Sequence, residues 1–325
     1  MTNYRNKLAT RLNSFRSHRG VTIPIEMAIQ KVSAVPGIDA IELNYPQHFP
    51  NDEPGSVIFE ARRVGLDVTA LNLRFDGQGF ADGAFTHPDE HRRREGIRVA
   101  SNAVELAARY GIGHVILWMG QDGFDYPFQA EYARLWEWEI EGFRAVASAD
   151  PNILVSVEYK AADPRRTSLI RSMSDSLLAV SDVGLPNFGV TLDFCHALMA
   201  GEEPAMAAAQ ALSRGKLFGL HLNDGYGPAD DGLMIGSIHL PQTLELLWEL
   251  RRWEFDGTIY FDTFPERIDP SDEAEANANA IRRLESVLDR IDPEEMQHAQ
   301  QQQDGLAVTR IVHRALTGAG VERAI

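Results

Sequence analysis

The sequence predicts an α/β protein: a single (β/α)8 TIM barrel over residues 1–290, followed by a C-terminal helical extension over residues 291–325. Three observations lead there. Eight short apolar segments recur between residues 8 and 290, with helix-like stretches between them, the pattern of repeated βα units around a parallel sheet. Neither GxGxxG nor a Walker A pattern follows an early segment, as an open nucleotide-binding sheet would usually require. No linker, low-complexity block or charge run interrupts residues 8–290, a span close to the about 250 residues typical of a closed barrel.

The expected strands are, in order, Leu8 to Phe15, Asp39 to Asn44, Asp67 to Leu73, His114 to Trp118, Ile153 to Glu158, Gly189 to Asp193, Leu217 to Leu222 and Thr258 to Asp262. The first is the weakest, because Arg11 and Asn13 interrupt it. The fifth is the most typical, being rich in β-branched residues. Helices are expected over Asp89 to Tyr110, Ala130 to Ala147, Arg166 to Ser181, Leu240 to Arg252 and Ser271 to Arg290. In the second of these, Tyr132, Leu135, Trp136, Ile140 and Phe143 fall at helical spacing and predict an apolar stripe. Asp163-Pro164 and Asp269-Pro270 read as helix starts, an N-cap acid followed by proline at the first helical position. The extension carries Gln300 to Gln303 and a helix-like stretch from Gly305 to Leu316.

Composition narrows the function classes. The 325 residues hold 31 Lys+Arg against 47 Asp+Glu, a formal charge of −16, which argues against a nucleic-acid partner. One cysteine, Cys195, excludes an internal disulfide and a multi-cysteine metal site. No run of about 18 apolar residues predicts a membrane span. Met1 to Lys7 is followed by no apolar stretch of signal length, so a cytoplasmic location is expected.

The chemistry is expected at the C-terminal ends of the strands, which converge on one face of a parallel barrel. Four consecutive strands end in an acid or imidazole: Glu158-Tyr159-Lys160, Asp193-Phe194-Cys195-His196, His221-Leu222-Asn223-Asp224 and Asp262-Thr263. Any one of these acids is accounted for by a cap or an ion pair. Four together at the ends of apolar strands are not, since a buried acid is costly unless paired or bound to a cation. Glu158, Asp193, His221 and Asp262 offer three carboxylates and one imidazole, a donor set for Mn²⁺, Mg²⁺ or Co²⁺, with Mn²⁺ expected first.

A second group lies nearby in sequence. His196 and the pair Asp230-Asp231 hold a second ion, orient substrate hydroxyls or, for the two aspartates, simply form a turn beside Pro228 and Gly232. Lys160 points to the same side as Glu158 on an extended chain, and either moves a proton or pairs with an acid. The polar-aromatic loop from Trp118 through Gln121 to Pro127 is either a sugar-binding element or a structured turn beside a core tryptophan; Trp118, Gln121, Asp224, Asp230 and Asp231 are the substrate-binding candidates.

These motifs resemble those of the xylose isomerase-like (β/α)8 superfamily, which includes xylose isomerase, L-rhamnose isomerase, ketose 3-epimerases and endonuclease IV. The resemblance spans about residues 8–290. It implies that Glu158, Asp193, His221 and Asp262 hold one divalent ion, with His196 and Asp230 in the places of second-ion ligands. The usual second aspartate, two residues after the first, is here Gly232. In length and overall pattern the chain is similar to the large subunit of bacterial C-glycoside deglycosidases. That likeness implies metal-assisted C–C cleavage of a 3-oxo-C-glycoside, with Lys160 and His196 handling protons and oxyanion charge and a small β subunit as partner. The alternative implied by the same superfamily is aldose–ketose isomerisation or ketose epimerisation by this chain alone. A non-catalytic sugar-binding barrel is the third reading.

Overall fold

The computed structural model describes residues 6–49, 54–75 and 77–318. Eight parallel strands close into a barrel: β1 (Leu8–Arg11), β2 (Ala40–Tyr45), β3 (Asp67–Arg74), β4 (His114–Trp118), β5 (Leu154–Glu158), β6 (Phe188–Asp193), β7 (Leu217–Leu222) and β8 (Ile259–Phe261). Each strand pairs with its neighbours in the chain, and β8 pairs with β1, so no edge is left open. The connecting helices are α1 (Ile25–Ser33), α2 (Pro54–Arg63), α3 (Glu90–Tyr110), α4 (Tyr132–Ala147), α5 (Met173–Val183), α6 (Pro204–Leu212), α7 (Leu240–Arg252) and α8 (Pro270–Leu288). This is the (β/α)8 barrel expected, and its strands sit within a few residues of their expected positions.

Two expectations are corrected locally. β1 stops at Arg11, and Leu12–Arg16 forms a helical turn instead of continuing the strand. Leu12 and Phe15 are both buried. A helical turn places residues three apart on one side, which an alternating strand does not. Asp163-Pro164 does not start a helix. Asp163 sits at φ 70°, and Thr167–Ser168 pairs as a short antiparallel ribbon with Gly123–Phe124. α5 starts only after Ser172, whose hydroxyl accepts from Asp175 N at 3.1 Å. Asp269-Pro270 does start α8, with Asp269 accepting from Ser271 N at 2.9 Å. In α4 the expected stripe is buried at Leu135, Ile140 and Phe143, whereas Tyr132 is half exposed and Trp136 Nε1 donates to Asp182 at 2.8 Å. The same helix buries a carboxyl, Glu139, with neither oxygen hydrogen-bonded.

The alternation of each strand sorts apolar side chains outward to the helices and a narrower set inward. Ala9, Ala40 and Tyr260 meet inside the barrel. Beside them His114 Nε2 lies 2.7 Å from Ser156 Oγ, which lies 2.6 Å from Thr191 Oγ1, and all three side chains are buried. Burial holds the His114 imidazole down at about 3, so this layer is uncharged. Two residues further along β5, β6 and β7 the inward positions are Glu158, Asp193 and His221.

The chain divides into two compact units, Met1–Ala278 and Asn279–Ile325, with the boundary inside α8. In the second unit, α9 (Pro293–Gln301) and α10 (Gly305–Thr317) are capped by Asp292 and Asp304. Arg290 Nη1 donates to Ala315 O at 2.9 Å and Arg314 pairs with Glu295. The expected C-terminal helical extension is therefore helical as far as Thr317; residues 319–325 lie outside the described range. No helix among the described residues is long and apolar enough to cross a membrane.

Candidate metal centre and cavity

Strand register assembles the site. Across the parallel ladder Arg74 pairs with Trp118, Trp118 with Glu158 and Glu158 with Thr191, so these side chains share one inward-facing row. The next row joins Asp193 to His221 and His221 to Tyr260. Thr10 pairs with Phe261, which brings the following residues, Arg11 and Asp262, together: Arg11 Nε lies 3.1 Å from Asp262 Oδ1.

The four expected ligands meet. One donor atom from each of Glu158, Asp193, His221 and Asp262 lies within 4.8 Å of the others, and all four residues are buried. Asp193 is fixed by His196 N (2.9 Å) and by Asn223 Nδ2 (3.0 Å), and Asn223 Nδ2 also reaches Asp262 O at 3.2 Å. His221 Nε2 lies 3.3 Å from Glu42 Oε2, and Glu42 in turn accepts from Asn72 Nδ2 at 2.8 Å. This leaves His221 Nδ1 facing Glu158 Oε2 at 3.3 Å, without the alignment of a hydrogen bond. A buried imidazole nitrogen without a hydrogen bond, aimed at three carboxylates and braced behind by a carboxylate, fits a divalent ion.

The charges confirm the crowding. Burial, together with the nearby Asp230, Glu158 and Asp262, pushes the Asp193 carboxyl up to about 7 against the pull of His196. Burial also raises Asp262, partly offset by Arg11. Glu158 goes the other way: burial opposes its charge, but His221 and His196 bring it down to about 2.

His196 links this cluster to a second one. Its Nδ1 lies 3.4 Å from Glu158 Oε1 and its Nε2 3.3 Å from Asp230 Oδ2. Burial opposes its protonation, yet Asp193 and Asp230 raise it to about 9. Asp193, His196 and Asp230 form a second group of three possible ligands. Lys160 Nζ stands 3.1 Å from the same Asp230 oxygen, so that carboxylate is shared between an imidazole and an ammonium. Gly232, where a second aspartate is usual, has φ +56°, and a Cβ there would lie 2.3 Å from the Phe264 ring. Phe264 therefore fills the space of the missing ligand.

A cavity of about 300 Å³ opens over these groups. Glu158, His196, Asp230 and Asp262 line it on one side, with Lys160 and Asp163 beside them. Arg11, Arg74, Trp118 and Phe264 line the rest. Of the remaining expected substrate contacts, Asp224 and Asp231 take up other work. Asp224 is fully buried, accepting from Ile238 N and His239 N at 2.8 and 2.9 Å and pairing with His239 Nδ1 at 2.9 Å. Asp231 accepts from Tyr226 N at 2.6 Å. Neither these two nor Gln121 lines the cavity. The loop after β4 contributes Trp118 to it, while Tyr126 points to solvent. Gly120 lets the indole ring lie back on the loop, since a Cβ there would sit 2.3 Å from the Trp118 ring.

Sequence reasoning missed Glu42 and Arg11 as members of the site; Asn72-Leu73-Arg74, read from the sequence as ending the third strand at the same mouth, does bring Arg74 to the cavity. Glu42 sits on an alternating inward position of an expected strand, so the period-2 pattern alone marks it. Arg11 interrupts the apolar pattern of its strand, and nothing in that pattern marks it as a wall of the site.

The comparisons agree with this architecture. The chain is 28% identical over 255 residues to the xylose isomerase of Thermus thermophilus, a match covering 75% of this chain and 66% of that protein. The chain therefore spans a little under two thirds of that relative's length. Among solved structures it is similar to a D-tagatose 3-epimerase-like protein (TM-score 0.68, 17% identity, 88% of this chain and 98% of that one). It is likewise similar to the 3-keto-D-glucoside 4-epimerase of E. coli (TM-score 0.62, 17% identity, 86% and 98%). At these identities the structural matches speak for the fold. The sequence pattern of the xylose isomerase-like TIM barrels matches residues 29–285, and the chain belongs to that family.

Proposed function

We propose that this chain is a divalent-metal-dependent enzyme that moves a proton next to a sugar carbonyl, as an aldose–ketose isomerase or a ketose epimerase. The observation that carries the reading is the meeting of Glu158, Asp193, His221 and Asp262 within 4.8 Å beneath a cavity lined by Lys160 and His196. The family and the named activities of the relatives support it. A volume of about 300 Å³ lies at the small end of ligand sites and suits one sugar ring.

A divalent ion on those four ligands, Mn²⁺ in the first instance, would supply charge stabilisation for an oxygen of the substrate. The chain's own groups do the rest. Lys160 stays cationic, because Asp230 and Asp163 raise its pKa against the effect of burial, so it donates to an oxygen that gains charge. His196, held between Glu158 and Asp230 and raised to about 9, is the group placed to give a proton, and the Asp230 carboxylate beside it the group placed to take one. Return of that proton to the neighbouring carbon gives an isomer; return to the opposite face gives an epimer.

The finer reading, cleavage of 3-oxo-C-glycosides with a small β subunit, draws support from the three-ligand second group. Lys160 stands at its Asp230, and Trp118 lies beside it. Against it, the space holds one ring, and the aromatic loop beyond Trp118 turns away. The test is one set of assays on the purified, Mn²⁺-supplemented chain. It receives free aldoses, free ketoses and 3-oxo-C-glycosides, the last with and without a candidate small subunit. Conversion of free sugars by the chain alone is the expected result. Aglycone release alone replaces it with the cleavage reading. No turnover of any of them, with metal bound, overturns both.

A further inference from the structure

Three loops of the barrel mouth are joined to one another twice. The first join is buried. The Asp122 carboxylate, in the loop after β4, accepts from Ala84 N at 2.8 Å and Thr86 N at 2.9 Å in the loop after β3. The Asp122 carbonyl accepts from Leu169 N at 3.0 Å in the loop after β5. The second join runs through one side chain. Arg165, in the loop after β5, donates through Nε to Gln121 O at 3.1 Å, through Nη1 to Asp125 Oδ2 at 3.0 Å and through Nη2 to Ala81 O. Asp125 also accepts from Arg166 N at 3.0 Å. A guanidinium presents its donors in a rigid planar fork, so meeting three acceptors fixes its position. The ribbon of Gly123–Phe124 and Thr167–Ser168 packs the same two loops together, and a Cβ at Gly123 would lie 2.2 Å from Thr167 O.

What the second join carries is the segment from Lys160 to Arg165. Lys160 and Asp163 line the cavity, and Arg165 does not. Asp163 stands at φ 70°, in the left-handed region, which a non-glycine residue keeps only where its surroundings hold it. Here its N–H donates to Arg165 O at 2.6 Å. From that position Asp163 Oδ2 lies 3.4 Å from Lys160 Nζ, which stands 3.1 Å from Asp230 Oδ2 on its other contact. The Asp163 side chain is 73% exposed, and an ion pair open to water holds neither partner firmly by itself. The placement therefore comes from the backbone, which is fastened two residues on. We infer that Arg165 is a positioning residue: by tying its loop to the other two it sets Asp163, and through Asp163 the Lys160 ammonium, at the cavity wall. This deepens the proposed function and rests on its assignment of Lys160 as the donor to an oxygen that gains charge.

The test is competitive labelling of the full, Mn²⁺-supplemented chain with acetic anhydride, read lysine by lysine by mass spectrometry. The chain has four lysines, so Lys7, Lys31 and Lys216 are internal controls. In Arg165→Met the labelling of Lys160 should rise about fivefold or more with the other three unchanged, since local opening sets access to a buried group. Arg165→Lys, which keeps one bond of the three, should fall between. The Asp122 join keeps the loops together in both variants, and unchanged controls verify it. On a free sugar that the chain converts, Arg165→Met should lower kcat about tenfold with KM nearly unchanged, the mark of a misplaced catalytic group. On a Lys160→Met background the same change should cost nothing more, because both act through one ammonium. Unchanged labelling of Lys160 in Arg165→Met overturns the inference. So does a rise at all four lysines, which is a general loosening, and so does a full further loss of kcat on the Lys160→Met background. If the wild type converts no sugar, the isomerase reading falls and the labelling alone decides whether Arg165 places Lys160.

Discussion

Asp262→Asn is the most informative single change at the candidate metal centre. It keeps the volume and leaves an oxygen for Arg11, but removes one of three carboxylates from a cluster spanning 4.8 Å. The native chain at a metal concentration 100 times its Kd gains about 2.7 kcal/mol. Unfolding entropy near 60 °C is about 2.1 cal/mol/K per residue, or about 0.7 kcal/mol/K for this length. The Tm should therefore rise by about 4 °C on adding Mn²⁺. Loss of a ligand that weakens binding by about 100-fold brings the protein to its Kd at the same concentration, where the gain is about 0.4 kcal/mol and less than about 1 °C. Without metal the variant should be at least as stable as wild type, since burial makes the Asp262 charge a cost. Differential scanning calorimetry in EDTA and in Mn²⁺, with metal content by elemental analysis, reads both signs. The shift should shrink from pH 8 to pH 6, because Asp193, raised to about 7, takes up a proton that competes with the ion. A variant retaining the full wild-type shift would show that Asp262 is no ligand, and a wild type with no shift would remove the metal centre altogether.

Three further outcomes are expected. Lys160→Met should lower turnover by about 10²-fold or more while leaving the Mn²⁺-dependent Tm shift in place, a split checked by steady-state kinetics beside calorimetry. Glu42→Gln, which loosens the carboxylate behind His221 Nε2, should weaken Mn²⁺ binding by about 10–100-fold without touching a ligand; isothermal titration decides it. Glu139→Gln should stabilise the protein at pH 8 and have little effect at pH 4. The buried Glu139 carboxyl is raised well above its usual range by burial and Asp122, so it stays protonated in the fold. The unfolded chain ionises above about pH 4.3, and native stability falls by about 1.4 kcal/mol per pH unit from there until the folded pKa is reached. Urea denaturation at the two pH values measures this, and equal stability of variant and wild type at pH 8 would refute it.

The barrel was legible because parallel strands buried on both faces read as short, continuous apolar runs, and β4 and β7 fall where those runs lie. Boundaries failed where tertiary demands override local pattern. Leu12 and Phe15 turn helical to bury one side, and Thr167–Ser168 is recruited into a ribbon by a segment more than 40 residues away. The cluster of four possible metal ligands was legible because packing gives an apolar strand no reason to end in an acid, whereas a cation would. The substrate candidates were harder to place, because an aspartate beside glycine has the same sequence signature whether it faces a ligand or ties down a loop. Asp224 and Asp231 do the latter, and Asp230, their neighbour, lines the cavity. Arg11 meets Asp262 with no sequence spacing to detect, since β1 and β8 lie far apart in the chain.

The layer of His114, Ser156 and Thr191 underlies the four-residue cluster with hydroxyls and a neutral imidazole that are bonded to one another and buried. These three offer no counter-charge from below. Whatever balances the carboxylates above them has to come from their own level or from the cavity side.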